Sequence, residues 1–161
     1  MRPLPFLASL ALVAVAALSG CATTTAPTTI ADTAARTPQL STLNRLINEA
    51  GLSETLRGPG PFTLFAPTDE AFKVVPSATM QALATDKALL QSVLSYHLVP
   101  GKLPAADAKV GGLKTVQGAN MAVARSGGTL TVEDAVVQET DVPASNGVVH
   151  IVDRVLMPPK Q

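Results

Sequence analysis

The sequence predicts one α+β domain whose sheet-on-sheet core is surrounded by helices. Apolar residues recur at helical spacing through much of residues 30–94, whereas residues 114–156 consist of short β-forming runs separated by turn residues. Helices that come mainly first and strands that come mainly last are typical of an α+β fold, not of an alternating α/β sheet. The composition fits a folded domain, because 47% of the residues are hydrophobic and only 15% are charged.

Residues 1–20 have the pattern of a bacterial lipoprotein signal peptide. Arg2 supplies a positive charge, and the apolar run Leu4–Leu18 is shorter than the roughly 20 residues that a membrane-spanning helix needs. The motif Leu18-Ser19-Gly20-Cys21 then resembles the lipobox at which bacterial lipoproteins are lipidated and cleaved. The alternative interpretation is an ordinary secretion signal that leaves Cys21 as a free thiol.

Cys21 is the only cysteine, so the mature domain has no internal disulfide and depends on its hydrophobic core for stability. We expect diacylglycerol on this residue, which would anchor the exported chain to a membrane. Ala22 rather than aspartate follows it, a pattern that favours the outer membrane where a bacterium has one. The composition predicts a lipid-anchored tether over residues 21–28, the folded domain over residues 29–158 and a C-terminal tail over residues 159–161.

Helix signals begin at the start of the domain. Residues 30–36 predict one or two helical turns. Thr37-Pro38 predicts an N-cap followed by proline at the first helical position, and Gly51 predicts a C-cap. An amphipathic helix is therefore expected over residues 39–50.

Three further helices are predicted from their capping residues. Thr68 is expected to cap a helix in which Asp69 is a first-turn acid that bonds free backbone amides. Ser77 is expected to cap the next helix, and Asp86 the one after it. The apolar face of that last helix consists of Leu89, Leu90, Val93 and Leu94.

Strands are predicted in short β-forming runs at residues 62–66, 96–99, 114–116, 121–125, 129–133, 136–138 and 148–156. Ser126-Gly127-Gly128 predicts a hairpin turn between two of these strands, and Asn146-Gly147 predicts the turn before the last one. The last run is apolar on both faces apart from His150, Asp153 and Arg154. Such a run is typical of a central strand that is covered on both sides.

Three segments carry a resemblance to a known family. Gly60–Phe72, Leu94–Gly101 and Ser145–Leu156 resemble, in content, order and spacing, the signature boxes of the fasciclin domain. The resemblance covers nearly all of Thr29–Pro158. It implies a compact, wedge-shaped β-sandwich with helices packed around it, in a family of mostly extracellular or envelope proteins linked to adhesion and matrix contact.

The resemblance also implies candidate contact residues. In animal members, a Tyr-His box with its apolar neighbours has been assigned to integrin binding. That assignment would carry over to Tyr96 and His97 and to their flanking residues Leu94, Leu98 and Val99. A bacterial envelope protein would rarely meet an integrin, so only the idea of a binding surface transfers.

A second candidate segment precedes the third box. Animal members carry a Glu-Pro-Asp-Ile-Met stretch there, and the matching stretch in this chain is Glu139-Thr140-Asp141-Val142-Pro143. It keeps the two acids and one aliphatic residue but departs from the pattern at Thr140 and Pro143. Asp141 and Val142 therefore join the candidate partner-binding residues.

Several of these residues also have a structural interpretation. The neighbours of His97 are apolar, which favours a hydrogen-bonded core histidine over a contact residue. His150 lies in a run of Val and Ile and is expected to be buried with its imidazole hydrogen-bonded. Two histidines without a cysteine or a close pair of carboxylates make a poor zinc site, so no metal is expected. Structural roles are also expected for Thr68, Asp69, Asn146 and Gly147.

Composition and motifs disfavour several functions. Lys and Arg together number 12, and Asp and Glu together also number 12, so the formal net charge is zero. Nothing in the sequence resembles the basic stripe that binds nucleic acid. Ser92, Ser95 and Ser145 lie near the histidines in sequence, but none stands in a Gly-x-Ser-x-Gly elbow. A serine hydrolase acting on esters or polyesters, as proposed for some bacterial family members, therefore stays an alternative.

The sequence thus predicts an exported, envelope-anchored adhesion or binding module without enzymatic activity, catalytic residues, cofactor or metal. Its expected partners are the membrane, through lipid on Cys21, and a protein or polysaccharide at the cell surface. The alternatives are the serine hydrolase and a purely structural envelope protein. No feature of the sequence indicates an oligomeric state.

Overall fold

The computed structural model describes residues 28–159 and confirms the α+β class. The predicted signal peptide, Cys21, all of the tether except Thr28, and the last two residues of the tail lie outside the described residues. Helices come mainly from the first half of the domain and strands mainly from the second, as predicted.

The elements have the following bounds in chain order. The helices are α1 (Ile30–Arg36), α2 (Ser41–Ala50), α3 (Ser53–Arg57), α4 (Asp69–Val74), α5 (Ser77–Thr85) and α6 (Lys87–Tyr96), with a short 3-10 turn (Pro38–Leu40) before α2. The strands are β1 (Phe62–Pro67), β2 (Leu98–Pro100), β3 (Gly111–Lys114), β4 (Asn120–Ser126), β5 (Thr129–Val132), β6 (Ala135–Ala144) and β7 (Gly147–Val152).

The start of α2 differs from the prediction. Thr37 makes no side-chain cap; its hydroxyl instead donates to the carbonyl oxygen of Thr33 at 2.8 Å. The carboxylate of Asp69, the first residue of α4, supplies the cap by accepting hydrogen bonds from the Thr42 amide at 2.8 Å and the Ser41 hydroxyl at 2.7 Å. Burial alone raises the pKa of Asp69, but these hydrogen bonds outweigh it and the pKa lies below its ordinary value.

Other helix ends show which local signals are sufficient. Gly51 ends α2 with φ of 75°, a left-handed conformation that glycine adopts without strain. Thr68 caps α4 by accepting from the Ala71 amide, and Asp86 caps α6 by accepting from two amides. The predicted Ser77 cap is wrong, because Pro76 occupies the capping position and no side chain caps α5.

The predicted strand at residues 96–99 is wrong in its first half, whereas Leu98 and Val99 do belong to a strand. Helix α6 continues through Tyr96, and His97 still donates its amide to the carbonyl oxygen of Val93 at 3.2 Å. Only Leu98–Pro100 is extended, and it pairs antiparallel with β1. Tyr96 and His97 therefore belong to the end of a helix.

The seven strands form one sheet in the order β2-β1-β7-β6-β5-β4-β3. Strands β1 and β7 run parallel, from the Phe62–Gly147 pair to the Pro67–Val152 pair, and every other pairing is antiparallel. Every residue of β7 is buried, which confirms the prediction of a central strand. The strand ends at Val152 rather than at Leu156, because the chain bends at Asp153.

Strand β6 joins the two halves of the sheet. It is longer than predicted, pairs with β5 at its start and with β7 farther along, and has register shifts between Val137 and Val142. Irregularities of this kind bend a strand and increase its twist, which allows the sheet to fold over on itself.

Two hydrophobic cores result from this arrangement. The first lies between the helices and one face of β1 and β7, and includes Leu43, Ile47, Leu64, Val149 and Ile151. The second lies between the two halves of the sheet, and includes Phe65, Tyr96, Met121, Val132 and Val152. Successive residues of β1 and β7 thus supply opposite cores, as the alternation of a strand requires.

Candidate functional site

The structure places the predicted Tyr-His contact segment in the interior. His97 is fully buried, Tyr96 is 1% exposed, and the flanking residues Leu94, Leu98 and Val99 are each no more than 6% exposed. A partner that meets the folded domain cannot reach these five side chains. The contacts of the two polar residues show what they do instead.

His97 joins helix α6 to the C-terminal segment. Its Nδ1–H donates to the carbonyl oxygen of Val93 at 2.8 Å, and its Nε2 accepts from the Leu156 amide at 2.9 Å. Both ring nitrogens are thus matched by a neutral imidazole. Burial lowers the pKa of His97 to about 4, although the hydrogen bond to Val93 opposes that shift.

We expect this histidine to make the stability of the domain depend on pH. The unfolded chain binds a proton at His97 below the ordinary pKa of 6.5, whereas the folded chain binds it only near pH 4. Stability is therefore full above pH 6.5 and falls as the pH falls toward 4. Between pH 7 and pH 5 the loss in free energy of unfolding should be about 2 kcal/mol, measured by urea unfolding at each pH.

The control for this prediction is His97→Gln, which removes the ionisable ring. The variant is expected to be less stable at pH 7 but to lose about 2 kcal/mol less than the wild type between pH 7 and pH 5. Carboxylates titrate in both proteins and cancel in the comparison. An equal loss in both proteins would assign the pH dependence to other groups.

Tyr96 joins the same helix to the second half of the sheet. Its hydroxyl lies 2.9 Å from a carboxylate oxygen of Glu133 and 3.3 Å from the carbonyl oxygen of Asn120. The same Glu133 oxygen accepts from the Ala122 amide at 2.7 Å. Burial, with the carboxylate of Glu133 beside it, raises the pKa of Tyr96 to about 12, so the phenol stays protonated and donates.

His150 occupies the middle of β7 and is 1% exposed. Its Nε2–H donates to the carbonyl oxygen of Leu103 at 2.8 Å, and its Nδ1 accepts from the Asp141 amide at 3.2 Å. The ring stacks on Phe65 with centroids 5.3 Å apart. His150 thereby holds the loop after β2 against the sheet.

Of the two candidate partner-binding residues in the second segment, Asp141 and Val142, only Asp141 is exposed. It has a left-handed conformation with φ of 60°, and its carboxylate accepts from the Ala105 amide at 2.8 Å. Val142 is half-buried against the helix-side core. Asp141 is thus the one predicted contact residue that a partner could reach directly.

The Asn146-Gly147 turn, whose two residues the sequence assigns a structural role, connects four parts of the chain. The Asn146 side chain accepts from the Ile30 amide at 2.9 Å and donates to the carbonyl oxygens of Leu56 at 2.7 Å and Gly58 at 2.9 Å. Its own carbonyl oxygen accepts from the Phe62 amide at 3.0 Å. The neighbouring Ser145 amide donates to the carbonyl oxygen of Thr28 at 2.8 Å, so the domain begins at this end of the sheet.

A family model of the fasciclin domain matches residues 38–158. The chain belongs to the fasciclin-domain family. The resemblance of its three signature segments is therefore confirmed, and so is the fold that the resemblance implied.

Two bacterial relatives are similar to this chain over most of its length. Protein sll1483 of Synechocystis sp. is 39% identical over 140 residues, which cover 86% of this chain and 78% of that protein. The cell surface glycolipoprotein MPB83 of Mycobacterium bovis is 38% identical over 138 residues, which cover 82% of this chain but only 61% of MPB83.

A solved structure shows the same fold. It is the FAS1 domain pair of the insect cell adhesion molecule Fasciclin I, with a TM-score of 0.60 and 23% identity over 73% of this chain and 45% of that one. Fasciclin domains thus occur in cell-surface and cell-adhesion proteins.

Neither histidine of this fasciclin domain has a ring nitrogen free for a serine hydroxyl. All four ring nitrogens are hydrogen-bonded to backbone groups. Within residues 28–159, no three His, Cys, Asp or Glu side chains are grouped as a metal site would require. In the same range, no helix has the length and apolar character needed to cross a bilayer.

The far end of the fasciclin domain carries an exposed groove that no motif predicted. Strands β1 and β7 begin at the Thr28 end of the domain, run for about 17 Å and finish beside the groove. The groove has a volume of about 180 Å³. Its lining includes Val74, Val75, Pro76, Asp134, Arg154 and Met157. We call it the distal groove.

Proposed function

We propose that this chain is an envelope-anchored, non-enzymatic binding module. Lipid on Cys21 would hold it to a membrane, and the domain would contact protein or polysaccharide partners at the cell surface. The observation that carries the proposal is a fasciclin domain that directly follows a lipobox and a short tether. The relative MPB83 is itself a cell surface glycolipoprotein, which supports the same arrangement here.

The structure is compatible with a domain held close to the membrane by one end. Thr28 lies beside Ser145, and six residues stand between it and Cys21, which makes seven residue-to-residue steps along the chain. A fully extended tether of that length spans about 25 Å. The Ser145 end would therefore lie nearest the membrane, with the distal groove farthest from it. Ala22 after Cys21 favours the outer membrane as the destination.

The histidine contacts support the non-enzymatic part of the proposal. General-base catalysis requires a ring nitrogen within reach of the nucleophile's proton. Both nitrogens of the buried His97 and His150 are engaged by the backbone instead. A Ser–His pair would require rearrangement of the core around either residue.

The test of the proposal begins with the fate of Cys21. The full chain is expressed in a bacterium with fatty-acid label, and its mass is measured. We expect the wild type to lack residues 1–20 and to carry lipid, and Cys21→Ser to carry none. An unmodified thiol at the mature N-terminus would favour an ordinary secretion signal and overturn the anchor.

The second half of the test separates binding from catalysis. The lipidated chain in vesicles is incubated with purified envelope polysaccharide and with envelope proteins, beside Asp141→Asn, which keeps the hydrogen-bond acceptor but removes the exposed charge. Retention of a component without turnover of ester substrates supports the binding module. Ester turnover supports the hydrolase, and the absence of both supports a structural role in the envelope.

A further inference from the structure

Strands β5 and β6 separate soon after they pair and leave an opening in the sheet. Strand β6 pairs with β5 only over Ala135–Val136, and from Val137 onward it pairs with β7 instead. Thr129 and Leu130, at the start of β5, therefore have no paired residue on the β6 side. A cleft of about 410 Å³ occupies this opening, a size within the usual range of small-molecule sites. We call it the strand cleft.

The strand cleft has a small apolar floor and a polar rim. Leu130 and Val137 form the floor, and neither is more than 8% exposed. The exposed polar side chains that line the cleft are those of Arg125, Thr129, Gln138 and Thr140. Among residues 28–159, the exposed large apolar side chains all lie elsewhere. The cleft therefore suits a ligand rich in hydrogen-bonding groups better than the apolar anchors that centre a protein interface.

One loop residue in the wall of the cleft is held from two sides. The guanidinium of Arg125 donates to the carbonyl oxygen of Ala105, and the carboxylate of Asp141 accepts from the amide of Ala105 at 2.8 Å. Ala105 lines the cleft, so these two bonds fix the loop against the strands. A wall that is already in place need not be ordered when a ligand arrives, which lowers the entropic cost of binding.

Arg125 brings an unneutralised positive charge to the cleft. A guanidinium carries five N–H donors on three nitrogens, and the bond to Ala105 engages one of those nitrogens. Within residues 28–159, Arg125 belongs to no ion pair. Its remaining donors form a planar fork that matches the two oxygens of a carboxylate.

The charges around the cleft give it a direction. Gln138, in β6, also borders a neighbouring depression that contains Asp69 and Glu70. Arg125 is in β4, on the other side of β5. A ligand with one negative group would therefore place that group at Arg125. Its uncharged hydroxyls would lie at Gln138 and Thr140, whose side chains both donate and accept hydrogen bonds.

An extended peptide fits this opening poorly. Addition of a strand requires a continuous free edge, and strands are usually at least three residues long. The unpaired stretch of β5 consists of Thr129 and Leu130 alone. The opening is thus long enough for a ring-sized ligand but too short for a strand.

We infer that the strand cleft binds a sugar ring that carries a carboxylate, the chemistry of a hexuronate. The carboxylate pairs with Arg125, and ring hydroxyls bond Gln138 and Thr140. The C–H face of the ring covers Leu130 and Val137. A free sugar acid and one unit of an acidic polysaccharide both offer this chemistry. The step rests on the proposed function, because it names one class of polysaccharide partner for that binding role.

Titration of the isotope-labelled full chain in detergent, followed by NMR, tests the inference. The probes are glucuronate and glucose, which differ only in that glucuronate has a carboxylate where glucose has a hydroxymethyl group. Glucuronate should shift the amide signals of Gly128, Thr129 and Thr140, and should bind at least about tenfold more tightly than glucose, because hydrogen bonds to charged groups are the stronger kind. Equal binding of the two sugars, shifts confined to other parts of the domain, or no shift at all overturns the inference.

Substitutions of Arg125 locate the carboxylate. Arg125→Gln removes the charge and should lower the affinity for glucuronate to that for glucose, whereas Arg125→Lys keeps the charge without the planar fork and should give an intermediate affinity. Arg154→Gln is the matched control, because it removes an exposed arginine outside the cleft and should bind like the wild type. Circular dichroism checks that each variant folds. Equal weakening by Arg125→Gln and Arg154→Gln would assign the attraction to net charge and overturn the site.

Oligomers of glucuronate identify the source of the ligand. An affinity that rises with oligomer length supports the cleft as a polysaccharide site, and an affinity that equals that of the single sugar supports it as a site for a free sugar acid. In both cases Arg125→Gln should weaken binding at least about tenfold.

Failure of the proposed function and failure of the inference give different results. None of these titrations requires lipid on Cys21, so loss of the anchor leaves their outcome unchanged. Retention of an envelope polysaccharide by the wild type and by Arg125→Gln alike supports the binding module and overturns the cleft as its site. Glucuronate bound in the cleft, without retention of any envelope polysaccharide, supports the cleft and overturns the polysaccharide part of the proposed function.

Discussion

Replacing Asn146 with alanine is expected to lower the free energy of unfolding by about 3 kcal/mol, roughly 1 kcal/mol for each lost hydrogen bond. The side chain bonds the Ile30 amide and the carbonyl oxygens of Leu56 and Gly58. Alanine leaves all three backbone groups without that partner, at a junction where α1, α3 and β7 meet. Urea unfolding at pH 7, followed by circular dichroism, measures the loss.

Two variants sharpen this result. Asn146→Asp keeps an oxygen that can accept from Ile30 but replaces the donor to Leu56 with a charged oxygen, so it should also be clearly destabilised. Asn120→Ala removes an exposed asparagine side chain at the start of β4 and should change the free energy of unfolding by less than about 0.5 kcal/mol. Similar losses in Asn146→Ala and Asn120→Ala would contradict the structural role of the turn.

The elements that could be predicted from sequence are those whose signals are local. The left-handed Gly51 ends α2, and Gly127-Gly128 makes the two-residue turn between β4 and β5, with φ of 56° and 89°. The Thr68 and Asp86 caps bond amides within three residues of themselves. A window of a few residues contains all the information that such features need.

The features that the sequence predicts wrongly are determined by residues far away in the chain. Helix α2 is capped by Asp69, which is 27 residues away from Thr42, whereas the local sequence pattern indicates the nearer Thr37. The run from Tyr96 to Val99 has apolar residues around His97 and is too short for periodicity to separate helix from strand. The first two residues of this run end helix α6, and the His97 ring there accepts a hydrogen bond from the Leu156 amide, 59 residues away.

For the candidate site too, the sequence indicates individual residues but not their burial or their neighbours in space. The resemblance implies that Tyr96 and His97 are contact residues. Sequence alone does not show how buried a side chain is, and both side chains lie in the core. The distal groove was missed because Val74, Asp134 and Met157 come from three separate segments that carry no common motif. Val74 and Met157 become neighbours because β1 and β7 run parallel and end at the same edge of the sheet, and Asp134 joins them because the start of β6 pairs with the end of β7.

Replacing Gly147 with alanine should have the largest effect, a loss of about 4 kcal/mol in free energy of unfolding, above the usual range for an overpacked core. A Cβ at this position would overlap the carbonyl oxygen of Phe62 and lie 2.9 Å from the Cδ1 of Ile30. The overlapping group is backbone, and it belongs to the first pair of the parallel β1–β7 register. Rotation of a side chain cannot relieve such a clash, so the strands must separate there.

Gly112→Ala is the matched control, because it places the same methyl group in another strand. A Cβ at Gly112 would lie 3.6 Å from the Cβ of Asn120, an ordinary contact, so the change should stay within about 0.5 kcal/mol. Hydrogen exchange adds a second readout. In Gly147→Ala, protection should fall first at the amides of Phe62 and Ile30, which bond Asn146, rather than at the distal end of β7. If instead the two alanine variants unfold at the same urea concentration, the close approach of β1 and β7 is not what requires glycine at residue 147.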